Sequence, residues 1–175
     1  MRIALYGFMG AGKSSLGAKL AQKLGYDFID LDVEIEAFTG KTINNIFKSE
    51  GEIAFRKVEH LVLKNFIKQN HDNVVLSLGG GSILQPTNRK LLELRNFFKI
   101  YINVDIDVLI ERLKTQRGQR PLLKDLRENE FNDYVKALFE SRKSIYEKHA
   151  DLNFKVGNEN FETSLARLYN YLNLN

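Results

Sequence analysis

The chain contains no cysteine, which excludes disulfide bonds and cysteine metal sites and fits a reducing cytosol. No apolar run approaches the ~20 residues that a membrane helix requires. Met1 and Arg2 lead almost directly into apolar Ile3-Ala4-Leu5-Tyr6, so no signal peptide is expected. Long runs of one charge are also missing. Lys and Arg number 26 against 22 Asp and Glu, a net charge of +4, and the basic residues are scattered among the acids. That distribution speaks against a nucleic-acid surface and for individual arginines that hold anions in a site. The three histidines, His60, His71 and His149, lack metal-ligand spacing. No repeat, low-complexity tract or linker interrupts the 175 residues. Residues 1–175 therefore read as a single domain, long enough to bury a real core. The expectation is a cytoplasmic protein with neither a membrane nor a nucleic-acid partner.

What is present is organised around Gly7-Phe8-Met9-Gly10-Ala11-Gly12-Lys13-Ser14. A short apolar run precedes it, and Leu16, Ala18, Leu20, Ala21 and Leu24 follow at helical spacing. Strand, glycine-rich loop and helix with G-x-x-x-x-G-K-[ST] spacing make a P-loop. Such a loop turns backbone N–H groups around phosphate oxygens and offers them the positive end of a new helix. Lys13 is expected to reach the β/γ-phosphates and the Ser14 hydroxyl to hold Mg²⁺, with Gly10, Ala11, Gly12 and Ser15 around the same phosphates. A nucleoside triphosphate is the implied ligand.

The βα alternation then continues. Tyr26–Asp30 reads as a second strand, with Leu31-Asp32 at its carboxyl end. A short helix from Val33 stops at Gly40, and Thr42 caps a turn through Ile43, Ile46 and Phe47. Gly51 interrupts before a longer helix from about Glu52 to Asn70. Val74–Leu78 reads as a buried strand closed by Gly79-Gly80-Gly81. Thr87 opens a helix, Phe97–Val104 is the fourth strand, and Asp105 or Asp107 caps the helix after it. A helix from about Asn129 to Lys148, a strand over Leu152–Val156 and a helix from about Phe161 to Leu172 complete the chain. Five strands alternating with helices predict a three-layer α/β/α fold with a five-stranded parallel sheet. The arginine-rich stretch over about residues 115–127 is the candidate lid over bound phosphates.

Three further constellations narrow the chemistry. Asp30-Leu31-Asp32 lies at a strand's carboxyl end, where α/β sheets bind ligands. Continued strand alternation would turn both carboxylates one way and Leu31 into the core. One carboxylate could then hold water on Mg²⁺ and the other a substrate hydroxyl; alternatively, Asp32 caps the next helix. In Gly51-Glu52-Ile53-Ala54-Phe55-Arg56, an arginine near a helix start opposes the helix dipole. It suits a carboxylate or phosphate of a second substrate, the alternative being a pair with Glu52 or Glu59. Three successive glycines at 79–81 make sense where a ligand approaches the main chain closely.

Together with Phe-Ile-Asp-Leu-Asp at 28–32, Arg-Pro-Leu-Leu at 120–123, and Arg142 followed by Tyr146, these motifs resemble the shikimate kinases, within the nucleoside monophosphate kinase-like group of P-loop folds. The resemblance covers nearly the whole chain in order. It implies ATP- and Mg²⁺-dependent phosphorylation of the 3-hydroxyl of shikimate, a step toward chorismate and the aromatic amino acids, by a monomer. Carried over, Asp32 binds the ring hydroxyls, Arg56 and Arg142 clamp the carboxylate, and Gly79, Gly80 and Gly81 line the acceptor. The helical segment over about residues 32–60 forms the acceptor-binding region. Arg120 bridges the transferring phosphoryl group from the lid, making Lys13, Asp32 and Arg120 the catalytic set. Ser14 ligates Mg²⁺, with Asp30 (through water) and Ser77 behind it. The adenine contact stays open among Arg112, Lys114 and Arg117. A gluconate kinase, a nucleoside monophosphate kinase or a P-loop scaffold without activity are the rival readings.

Overall fold

The computed structural model describes residues 1–69, 71–124, 126–157 and 159–174, without the side chain of residue 119. Its centre is a five-stranded parallel sheet in the order β2-β3-β1-β4-β5, formed by β1 (Arg2–Tyr6), β2 (Asp27–Asp30), β3 (Val74–Ser77), β4 (Phe98–Val104) and β5 (Leu152–Val156). The helices are α1 (Lys13–Leu24), α2 (Leu31–Thr39), α3 (Ile43–Lys68), α4 (Pro86–Leu94), α5 (Ile106–Gln116), α6 (Glu128–Lys148) and α7 (Phe161–Leu174). The three-layer expectation is met.

Parallel strands covered on both faces read as continuous apolar runs rather than alternating ones. In β1, Ile3, Ala4, Leu5 and Tyr6 are all fully buried, as are Val74, Val75 and Leu76 in β3. The register pairs Leu5 with both Ser77 and Ile100, and Asp30 with Ser77. The carboxyl ends of β1, β2 and β3 thus lie level, so the loop after β1, the acids after β2 and the glycines after β3 open side by side. Gly17 brings α1 down onto this sheet: a Cβ there would meet Phe28 at 2.7 Å and Leu5 at 3.1 Å.

Local chemistry explains most boundaries. Gly12 (φ 84) precedes the first residue of α1, and Thr42 accepts a hydrogen bond from the Asn45 N–H at the start of α3. Asp105 rather than Asp107 caps α5. Gly51, at φ 80 and ψ 175, bends α3 sharply. Phe47 and Phe55 then face each other across the bend, ring centroids 4.6 Å apart.

Several expectations shift. Continued strand alternation through Asp32 does not occur, because Asp30 ends β2 and its side chain accepts from the Asp32 N–H, starting α2 at Leu31. The cap is therefore Asp30, not Asp32, although Leu31 is buried as expected. Helix α4 begins at Pro86, whose missing N–H costs nothing at the first helical position. A 3₁₀ turn over Ser82–Leu84 is an element that apolar periodicity does not announce. The expected end of α3 at Asn70 lies outside the described residues, as does Asp125 of the candidate lid. That segment is not wholly polar in its setting either: Leu123 is fully buried and anchors it.

Candidate active site

Two adjoining hollows open above the carboxyl edge of the sheet. The larger, of about 450 Å³, follows the loop after β1 and is lined by Gly10 through Leu16, with Arg112, Gln116 and Phe161 on the far side. The smaller, of about 90 Å³, lies between the bend of α3, the glycine turn and α6. Met9, Asp32, Gly80 and Arg120 line both. They form the border across which a group held in one hollow meets a group held in the other.

The larger hollow is built for an anion. Its loop ends at the N-terminus of α1, where free backbone N–H groups and the helix dipole favour negative charge. Lys13 is half-buried, and its Nζ donates to the Phe8 carbonyl at 3.0 Å. Burial pulls its ammonium down to about 8, against the opposing pull of Asp32. Arg112 Nη1 donates to the Gly10 carbonyl at 3.1 Å, which holds a guanidinium over the loop. Ser14 Oγ donates to Asp30 Oδ2, while Asp30 Oδ1 caps α2. These hard oxygens beside a phosphate cradle suit Mg²⁺, which takes few protein ligands and keeps water and phosphate around it. Among the described residues no group of three or more His, Asp or Glu could hold a metal without such help.

The smaller hollow is apolar on one wall and charged on the other. Ile43, Phe47 and Phe55 supply the apolar wall; Arg56, Arg142 and Asp32 face it. The two arginines differ. Arg56 Nη1 reaches both oxygens of fully buried Glu59 at 3.0 Å, and its Nη2 reaches Glu52 at 3.0 Å. Burial disfavours the Arg56 charge, but Glu59 more than offsets that and holds the group above its ordinary value. Arg142 is only 8% exposed, lies over the Phe8 ring, and makes no ion pair among the described residues. A buried guanidinium without a carboxylate is an anion site looking for its anion. Arg120 resembles it: Nη2 donates to Gln116 at 3.1 Å, while its buried Nε has no partner.

Asp32 sits between these cations and other acids. Burial, reinforced by Asp30, raises its carboxyl to about 6 despite Lys13. A carboxylate tuned toward neutrality can take a proton from a hydroxyl beside it.

Each glycine of the turn serves a different close approach. A Cβ on Gly79 would lie 2.9 Å from Asp32 Oδ1, one on Gly80 would press on the Met9 backbone at 3.3 Å, and one on Gly81 would overlap the Arg56 guanidinium. The main chain is thus approached by side chains of the site at Gly79 and Gly81, and by the backbone of the loop after β1 at Gly80.

The structure brings together Gly10, Ala11, Gly12, Lys13, Ser14, Ser15, Arg112, Arg120 and Asp32 around the larger hollow. Asp32, Arg56, Gly79, Gly80, Gly81 and Arg142 meet in the smaller one. It does not bring Arg117 there. Arg117 Nε donates to the Leu123 carbonyl at 3.3 Å and its guanidinium lies over Phe131, which ties the segment after α5 to α6. Sequence reasoning undervalued Glu59, treated only as a surface partner for Arg56. Its signal was three-residue spacing from Arg56 on one helix face. It also gave no role to Tyr146, whose hydroxyl donates to the Gly80 carbonyl at 2.5 Å.

The family model described as shikimate kinase matches residues 9–173. A shikimate kinase of Pelotomaculum thermopropionicum is 38% identical over 172 residues, spanning 97% of this chain and 94% of the relative. One from Actinobacillus pleuropneumoniae serotype 5b is 44% identical over 155 residues, 88% of this chain and 85% of the relative. Among solved structures, the shikimate kinase of Bacteroides thetaiotaomicron superposes with a TM-score of 0.87 at 36% identity, over 99% of this chain and 98% of that one. The Acinetobacter baumannii shikimate kinase in complex with shikimate gives 0.83 at 32% identity, over 99% and 93%. With a phosphate cradle and a doubly cationic pocket meeting at one carboxylate, and with likeness running nearly end to end, the chain belongs to the shikimate kinase family.

Proposed function

We infer that the protein transfers the γ-phosphoryl group of ATP to the 3-hydroxyl of shikimate, giving 3-phosphoshikimate and ADP. The observation that carries this reading is the shared border of the two hollows, with Asp32 and Arg120 facing both. A donor phosphate on one side and an acceptor hydroxyl on the other would meet there in line.

In this reading the acceptor carboxylate lies between Arg142 and Arg56, and the ring packs against Phe47 and Phe55. Asp32 accepts a hydrogen bond from the reacting hydroxyl. As that oxygen bonds to the γ-phosphorus, the bond from the γ-phosphorus to the β–γ bridging oxygen breaks, and the hydroxyl proton passes to Asp32. Lys13 leaves the Phe8 carbonyl for the β/γ-phosphate oxygens, and Arg120 turns its free Nε to the charge spread over the transferring group. Ser14, and Asp30 through water, would hold Mg²⁺, which would supply charge neutralisation for the phosphates. Gly10, Ala11, Gly12 and Ser15 hold phosphate oxygens by their N–H groups, and Arg112 lies toward the base. Residues 115–127 act as the lid, carrying Arg120 inward and excluding water.

One chain supplies every group in this scheme, so we propose that it acts as a monomer. No helix among the described residues is long and apolar enough to cross a membrane. The cysteine-free sequence favours the cytoplasm. Incubation with ATP, Mg²⁺ and separately shikimate, gluconate or nucleoside monophosphates tests the assignment. ADP release dependent on shikimate alone is expected, and turnover with gluconate or a nucleotide instead would overturn it.

A further inference from the structure

Six polar or charged side chains are buried among the described residues: Glu59, Ser77, Ser82, Asn88, Arg142 and Ser164. Glu59, Ser82 and Asn88 are completely enclosed and form one connected chain behind the acceptor pocket. The transfer scheme uses neither Ser82 nor Asn88. Enclosing three polar groups is unfavourable unless each is bonded, and here each is. Ser82 Oγ donates to Glu59 Oε1 at 2.5 Å, on the carboxylate that already receives Arg56 Nη1. Asn88 Nδ2 donates to the Ser82 carbonyl at 3.1 Å, which leaves Asn88 Oδ1 to accept from His60 Nδ1 at 2.8 Å.

The neighbouring residue completes the pattern. Arg89 Nη1 donates at 2.8 Å to the carbonyls of both Ile83 and Leu84. Side chains of α4 therefore hold all three carbonyls of the 3₁₀ turn over Ser82–Leu84. That turn directly follows Gly79–Gly81, a stretch with no side chains of its own to fix it. Yet Asp32 and the Arg56 guanidinium come so close to this turn that a Cβ would lie 2.9 Å from Asp32 at Gly79 and would overlap Arg56 at Gly81.

We propose that Ser82 and Asn88 are positioning residues for the acceptor-carboxylate clamp. Asn88 pins the glycine turn from behind, and the Ser82 hydroxyl fixes the Glu59 carboxylate that sets the plane of Arg56. The pair touches no substrate and acts through Glu59 and Arg56. This inference rests on the smaller hollow being the shikimate site.

The test is steady-state kinetics on full-length Ser82→Ala and Asn88→Ala proteins, each alone and combined with Arg56→Lys. Loss of one buried donor is expected to raise the shikimate KM about tenfold, with the ATP KM unchanged within about twofold. Ser82→Thr, which restores a hydroxyl, should recover most of the loss. On the Arg56→Lys background, Ser82→Ala should add nothing, because the plane it sets has gone. Equal rises in both KM values, or full additivity with Arg56→Lys, would overturn the proposal. Should Asn88→Ala fail to fold, Ser82→Ala, which removes a single oxygen, decides alone. A wild-type protein inactive on shikimate sinks both this inference and the function it rests on. An active wild type with unaltered Ser82→Ala kinetics sinks only the inference.

Discussion

The two halves of the site are made in opposite ways. The phosphate cradle comes from one contiguous stretch, Gly7 to Ser14, and works mainly through backbone N–H groups at the start of α1. The acceptor pocket draws on α2, α3, the glycine turn, the segment after α5, and α6, and works through side chains. The first depends on backbone angles within one loop; the second depends on distances between elements far apart in sequence. The cradle should therefore fail as a unit, whereas the acceptor pocket should fail residue by residue, each loss with its own signature.

The largest losses are expected in the cradle and at the border it shares with the acceptor pocket. Lys13→Ala should reduce turnover by about a thousandfold or more, since no other lysine among the described residues lines the phosphate hollow to stabilise transferring charge. Retained turnover would remove the cradle from the mechanism. Asp32→Asn should also cost about a hundredfold or more in kcat, yet it should fold more stably at pH 7. The sign follows from the raised carboxyl: the fold favours the protonated acid, so stability is lost as pH rises from the ordinary Asp value to about 6. At neutrality the deficit is complete, and a neutral Asn removes about 1–3 kcal/mol of it. For the wild type, kcat/KM should fall below pH about 6 as Asp32 protonates and above about 8 as Lys13 loses its proton. An Asp32→Asn protein that is active but binds shikimate weakly would deny Asp32 the base role.

The two arginines of the acceptor pocket sharpen the contrast further. Arg142, which lacks a carboxylate partner, should carry more of the substrate's charge. Arg142→Ala should lower kcat/KM for shikimate by about a hundredfold, because in the proposed scheme it removes a buried, charge-assisted grip on the substrate carboxylate. Arg56→Ala should cost less in binding but more in folding. It strands Glu59, a fully buried carboxylate, at about 3–5 kcal/mol. Thermal melts and shikimate titrations on both variants separate the effects. Equal melts for the two would show that pairing in the free protein does not distinguish them.

This asymmetry also explains what the sequence disclosed. The strand, loop and helix around Gly7 to Ser14 were legible, because their pattern is spacing within one stretch. Strand β5 was read to its boundaries and α6 to within a residue, because apolar periodicity is local. Asp30 and Asp32 were found, but their geometry was misjudged. A carboxylate that can cap a helix competes with strand alternation, and the cap won. Arg117 was offered among the adenine contacts because nothing local tells an arginine aimed at a ligand from one aimed at Leu123 and Phe131. The Glu59–Ser82–Asn88 chain was invisible for the same reason: its members meet only after α3, the glycine turn and α4 pack together.

The smallest expected effect bears most directly on the border. Tyr146 donates to the Gly80 carbonyl, and Gly80 lines both hollows. Burial pushes the Tyr146 hydroxyl up to about 12, so it remains a donor at any pH where the protein works. Tyr146→Phe keeps the ring packed among Tyr6 and Tyr101, and Tyr6 still donates to the backbone carbonyl of residue 146. The hydroxyl's bond to the Gly80 carbonyl and its contact with Arg142 go, worth about 1 kcal/mol of stability. If the halves are separately built, the shikimate KM should rise about three- to tenfold while the ATP KM stays put, because in the proposed scheme Gly80 serves the acceptor rather than the nucleotide. The change should be the same at pH 6.5 and pH 9. Were both KM values to rise together, Gly80 would be a common hinge, and the division between a backbone-built and a side-chain-built half would not survive.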